Sequence, residues 1–283
     1  MINKKRELMD NIGKYQVKPF TKQRRNIELV TKEGWRKKST HTVLEIDVTN
    51  AREIIQKHKE KTGEKISFTA WVIKCVAQTL SENKDFNAYR HGKKKIIVFD
   101  DVDIAVPIEK IVKDEARPRV CLIRKANEKS IKEISNEIRI AQKEDVSEDT
   151  EILGHKTTRL ENFALNAPIF IQRFLLWITR KNAILKKKYI GTTGVTAVGM
   201  KGYFPGWIIP LGSIASTLFL VSGITKKPGI VGNKISIREY LHLTISSDHD
   251  LVDGGPLVRF VDRLNGLMEK GYGLDNLLNN AMP

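Results

Sequence analysis

From residue 41, "HTVLEIDV" alternates apolar and polar positions, the period-2 pattern of a half-buried strand. "TNAREIIQKHKEKTG" opens on a Thr/Asn cap and closes at Gly63, which predicts a helix. The more apolar "SFTAWVIKCVAQTLSENKD" predicts a second helix. Short strand patterns follow in "FNAYRH", "KKIIVFD", "DVDIAVPI" and "PRVCLIRKA", the last leading into the helical "SIKEISNEIRIAQKED". Residues 146–162 are polar and read as a loop. "PIFIQRFLLWITRKNAILKKKY" reads as one long, mostly buried helix. Three β-rich runs come next, "GTTGVTAVGM", "ASTLFLVSGI" and "REYLHLTISS". A C-terminal helix then starts near Pro256, where proline suits a first turn.

Strands and helices mix without regular βαβ alternation, and no repeat or low-complexity segment interrupts them. The pattern predicts an α/β fold, a mixed sheet with helices packed over it. The first 38 residues are mostly polar, with "PFTKQRRNIELV" their one amphipathic patch. They read as an N-terminal arm (1–38) ahead of a single domain (39–283).

Composition narrows the class. The 283 residues are 41% hydrophobic, enough for a sizeable core. The two cysteines, Cys75 and Cys121, form no CxxC or Cys/His cluster. This argues against a disulfide framework or structural zinc and fits a reducing cytoplasm. "MINKKRELMDNIGKYQ" lacks the apolar centre of a secretory signal. The most apolar long segment is interrupted by Arg173 and falls short of the roughly 20 apolar residues of a membrane span. A net charge of +16 fits either a lysine-rich solvated surface or attraction to a phosphorylated partner. The basic residues are scattered and not interleaved with aromatics, so nucleic acid is not expected.

The densest chemistry lies in "SSDHDLVDGGP", residues 246–256, between a strand and a helix. An isolated histidine at a strand end is often a polar residue with no chemical role. A metal site is not expected: the other histidines are scattered, and EF-hand spacing is absent. The chemical alternative is general-base catalysis, because neutral imidazole accepts a proton near physiological pH. Asp253, Gly254 and Gly255 offer an orienting carboxylate and room for close backbone approach.

This segment resembles the active-site stretch of the 2-oxo-acid dehydrogenase acyltransferases and chloramphenicol acetyltransferases, which carry Asp-His-x-x-x-Asp-Gly between a strand and a helix. His249, Asp253 and Gly254 fall on the family's histidine and Asp-Gly pair. "GTTGVTAVGM" resembles a second family motif and places Thr196 on its hydroxyl residue and Gly199 on its glycine. "DIAVPIEK", with the stretch from "PRVCLIRKA" onward, resembles a third. "TKQRRNI" resembles the N-terminal Arg-Lys-x-Ile, with Arg24 on the arginine.

The resemblance implies a chloramphenicol acetyltransferase-like two-layer fold and a CoA-dependent acyltransferase, with no metal and no membrane partner. It implies a homotrimer or higher assembly in which His249 of one chain meets Thr196 of its neighbour. His249 is then the general base toward a CoA or dihydrolipoyl thiol, and Thr196 the donor to the oxyanion. Asp253 holds the loop by pairing with a cation, Arg24 being the best-matched partner. Two departures stand out: Asp250 occupies the family's usual arginine position, and Ala197 that of a small polar residue. No lipoyl domain, partner-binding domain or Pro/Ala linker is present in the sequence, so a separate lipoylated protein is one expected partner. An O- or N-acetyltransferase acting on a small molecule and a non-catalytic trimeric scaffold remain alternatives.

Overall fold

The structure is a computed structural model and describes residues 13–112, 115–143, 167–199, 204–210, 212–275 and 277. The polar stretch 146–162 lies outside them. The first half of the chain forms α1 (Lys22–Trp35), β1 (Ser39–Asp47), α2 (Thr49–Thr62), α3 (Phe68–Glu82), β2 (Ala88–His91) and β3 (Lys95–Val98). Then come β4 (Ile104–Val112), β5 (Glu115–Ile123), α4 (Ile131–Lys143), α5 (Ile169–Lys181) and α6 (Ala183–Ile190). The chain continues through β6 (Thr193–Ala197), β7 (Thr217–Val231), β8 (Lys234–Asp248) and α7 (Gly254–Glu269).

Six strands form one mixed sheet in the order β1-β8-β7-β6-β4-β5, and β2 and β3 pair separately. β6 runs parallel to both β4 and β7, while the other pairs in the large sheet are antiparallel. This is the mixed α/β architecture that the strand and helix pattern predicts. Alternation along β8 decides what each face does. Leu241, Leu243 and Ile245 join the apolar core, while His242, Thr244 and Ser246 are buried between them in sequence. Trp71, Val72 and Leu80 of α3, Ile134 of α4, and Phe260, Leu264 and Met268 of α7 share that core with Val195, Phe219 and Val221. Phe260 stacks on Phe86 with centroids 4.2 Å apart. Each such side chain contributes about 1.5–3 kcal/mol through burial, so the sheet and helices hold each other in place.

Local chemistry sets the element ends. The hydroxyl of Ser67 accepts the Ala70 N–H and caps α3, and Gly63, at φ +72°, stops α2 in the left-handed region. Residues 22–35, marked by the sequence only as an amphipathic patch, form α1, capped by Thr21. β7 and β8 run further than the expected 215–224 and 238–247, meeting at a tip where Gly232 has φ +61°. Pro228 sits in the outer half of this hairpin, beyond the stretch paired with β6, where a missing N–H breaks no second ladder.

The expected long buried helix at 168–189 is corrected. It is two helices, broken at Asn182, and α5 has no buried residue. The Asn182 side chain accepts the N–H groups of Ile184 and Leu185, starting α6 afresh, so a local side-chain bond overrides the apolar periodicity. Phe174 stacks on Trp177 at 6.0 Å, and Lys181 lies 3.7 Å over the Trp177 ring. No helix among the described residues is long and apolar enough to cross a membrane.

Candidate active site

The turn between β8 and α7 is built by Asp248. Its carbonyl accepts the N–H groups of Leu251 (3.0 Å) and Val252 (3.2 Å). Its carboxylate Oδ1 accepts the Asp250 N–H at 3.2 Å, closing an Asx turn that ends the strand. The Asp248 N–H donates to Ser216 O at 3.0 Å, and the His249 N–H to Lys38 O at 2.8 Å. Val252 is buried with Leu257 and Phe260 and anchors the far side of the turn. His249 is thus fixed through its backbone, while its side chain remains 52% exposed.

Under the turn lies a group of charges that sequence reasoning missed. Lys37 Nζ donates to the carbonyls of Ile214 (2.6 Å) and Ala215 (2.7 Å) and stands 3.7 Å from Asp248 Oδ2. Burial pushes its pKa down to about 7, opposed by the Asp248 carboxylate and assisted by the nearby Lys186 ammonium. Burial likewise lowers the pKa of Lys186, against the pull of Asp248. Lys186 lies over the Tyr89 ring at 4.4 Å, and the Tyr89 hydroxyl donates to Gly191 O at 2.8 Å. Desolvation pushes the Tyr89 phenol well above its ordinary range. Nothing in the runs "RKK" or "KKK" distinguishes Lys37 or Lys186 from surface lysines. The one signal in the sequence was Asp248 itself, adjacent to His249.

The expected site residues are only partly brought together. Asp253 precedes α7 as its N-cap without a side-chain capping bond, and its side chain is 88% exposed. Its Oδ1 lies 3.9 Å from His249 Nδ1. Arg24 is exposed on α1, with its N–H donating to the Thr21 hydroxyl. Among the described residues no ion pair joins Arg24 to Asp253 within the chain. Gly254 begins α7 with open space where a Cβ would stand. Thr196 is partly buried on β6 in register with Leu220, which pairs with Thr244. Gly199 approaches the Ser222 backbone so closely that a Cβ would fall 1.9 Å from Ser222 O. Asp250, in the arginine position, faces Arg90 of β2 at 3.8 Å. Ala197 packs against the core. Among the described residues no His/Cys/Asp/Glu group has the makings of a metal site.

A mixed sheet with helices packed over it, and a backbone-held histidine between strand and helix, match a known class. The family model for 2-oxoacid dehydrogenases acyltransferase (catalytic domain) covers residues 13–151 and 189–274, and the chain belongs to that family. The intervening stretch 152–188, which carries α5 and most of α6, lies outside the match.

The lipoamide acyltransferase component of the branched-chain alpha-keto acid dehydrogenase complex of Bacillus subtilis (strain 168) is 26% identical over 236 residues, 81% of this chain and 46% of that protein. The human mitochondrial dihydrolipoyllysine-residue succinyltransferase component of the 2-oxoglutarate dehydrogenase complex is 26% identical over 237 residues, 81% of this chain and 43% of its own length. The chain therefore spans about half the length of the curated relatives it matches. Among solved structures, the probable dihydrolipoamide acetyltransferase from Listeria monocytogenes 4b F2365 superposes with a TM-score of 0.62 at 23% identity, covering 92% of this chain and 97% of that one. The Azotobacter vinelandii dihydrolipoamide acetyltransferase gives 0.67 at 18% identity, covering 95% and 96%. These structures share the fold.

Proposed function

We propose that the chain transfers an acyl group between coenzyme A and a thiol acceptor of the dihydrolipoyl type, with His249 as general base. The observation that carries this reading is the His249 turn: it lies within the family match, its backbone is held, and its ring is open to solvent. Neutral imidazole takes the proton of the acceptor thiol, and the thiolate attacks the carbonyl carbon of the acyl-CoA thioester. The C–S bond to CoA then breaks, and the imidazolium returns the proton to the departing CoA thiolate. Asp253, with Oδ1 3.9 Å from Nδ1, stabilises the imidazolium in this reading. Thr196 donates a hydrogen bond to the tetrahedral oxyanion, and Gly254 leaves room for close approach.

Thr196 comes from a second copy of the chain in this account, and the working unit is a homotrimer or higher assembly. The register supports this, because Thr196 and His249 lie far apart within one chain. The acceptor is a dihydrolipoyl group. The +16 charge favours a polyphosphorylated substrate such as CoA. The cytoplasm is the proposed setting, with Cys75 and Cys121 both buried.

An acceptor screen with acetyl-CoA, following release of CoA thiol, tests the reading. Release with dihydrolipoamide supports it. Release only with small hydroxyl or amine acceptors replaces the thiol acceptor. No release with any acceptor rejects catalysis in favour of the scaffold.

A further inference from the structure

The two residues that precede β1 grip the His249 turn twice. Lys38 gives its carbonyl to the His249 N–H at 2.8 Å. Lys37 sends its side chain underneath, where Nζ binds the Ile214 and Ala215 carbonyls and faces Asp248 Oδ2 at 3.7 Å. The Lys37 and Asp248 side chains are only 16% and 14% exposed. The other oxygen of the same carboxylate, Oδ1, closes the turn on the Asp250 N–H. One carboxylate therefore shapes the histidine turn through one oxygen and is held through the other. We propose that Lys37 is a positioning residue for His249: by clamping Asp248 to the 214–215 backbone, it fixes the direction in which the imidazole leaves the end of β8. This rests on the reading of His249 as general base.

The charge balance explains why the clamp is specific. Lys37 and Lys186 both lie over the Tyr89 ring, at 5.7 and 4.4 Å, and both feel Asp248. Of the two, Lys37 makes the ion pair and the two carbonyl bonds, so it spans from the turn to the segment entering β7. Lys186, 7% exposed, adds positive charge without a tether to that segment. Removing Lys37 frees the carboxylate to turn toward Lys186 and takes Oδ1 away from the Asp250 N–H. A shift of about 1 Å in a catalytic group is enough to cost roughly 10²-fold in rate.

Amide hydrogen exchange and steady-state kinetics on the 283-residue chain test this. In Lys37→Met the amides of His249 and Asp250 should exchange at least about 10-fold faster, while those of Phe219 and Val221 in the core keep their protection. The kcat should fall about 10²-fold with KM for acyl-CoA and acceptor changed less than about two-fold, a split that global loosening does not give. Asp248→Asn keeps an acceptor oxygen for the turn and removes the charge, so it should shift both readouts the same way. It also serves if Lys37→Met does not fold. Wild-type exchange at His249 together with wild-type kcat, in whichever of these variants folds, overturns the proposal. A wild-type protein with no turnover defeats the acyltransferase reading alone and leaves the exchange result to decide the clamp.

Discussion

Thr196 and His249 do not meet within one chain. Thr196 stands in register with Leu220, and Leu220 with Thr244, two strands away on β8. His249 lies past the end of that strand, roughly 16 Å further along at about 3.3 Å per residue. An oxyanion donor at Thr196 can serve His249 only across an interface between copies.

Mixing therefore distinguishes the arrangements. His249→Ala and Thr196→Ala, each assembled alone, should be impaired. Co-assembled from the two denatured chains, they should recover activity, because some interfaces then combine an intact histidine with an intact threonine. Mixtures no more active than the two parents would place both groups in one chain's site.

Thr196 also permits a substitution series. Thr196→Ala and Thr196→Val should lower kcat by about 10²–10³-fold, whereas Thr196→Ser retains most of it. A fully active valine variant would make Thr196 an ordinary strand residue.

Asp253 behaves differently from a buried ion-pair partner. At 88% exposure and without Arg24 beside it, its removal strands no buried charge among the described residues. Asp253→Ala should change stability by less than about 0.5 kcal/mol while lowering kcat. Arg24→Met should likewise melt as wild type does. Urea unfolding decides both, and a large loss of stability in either variant would restore the ion pair.

Lys37 predicts a pH dependence with a definite sign. Its pKa falls from the ordinary 10.5 to about 7 on burial. Between those values the unfolded chain binds the proton that the folded chain does not, so this group makes folding more favourable as pH rises across that window. The cost of burying the ammonium is fully present below about pH 7 and is relieved toward pH 10.5. Stability of the wild type relative to Lys37→Met should therefore climb between pH 7 and 10. Parallel curves would show that Lys37 is not desolvated.

Most elements were legible because their signals are local. The period-2 pattern marked β1, Gly63 marked the end of α2, and the His249 segment stood out by its residue types. What was not legible depends on distant partners. The pattern at 168–189 read as buried, yet Asn182 breaks it and nothing among the described residues buries α5. Lys37 looked like any surface lysine until folding set it against the Ile214 and Ala215 carbonyls. Asp250 looked like a departure that threatened the site, and the fold faces it with Arg90.

The most direct measurement is the rate of acetyl transfer from acetyl-CoA to dihydrolipoamide by wild type and His249→Ala, with folding followed by circular dichroism. His249 lies in a turn with an exposed ring, so its loss should leave no large cavity and little change in melting. The account predicts a fall in kcat of about 10²–10⁴-fold in a fully folded variant. A His249→Ala protein that transfers acetyl groups as fast as wild type would contradict it.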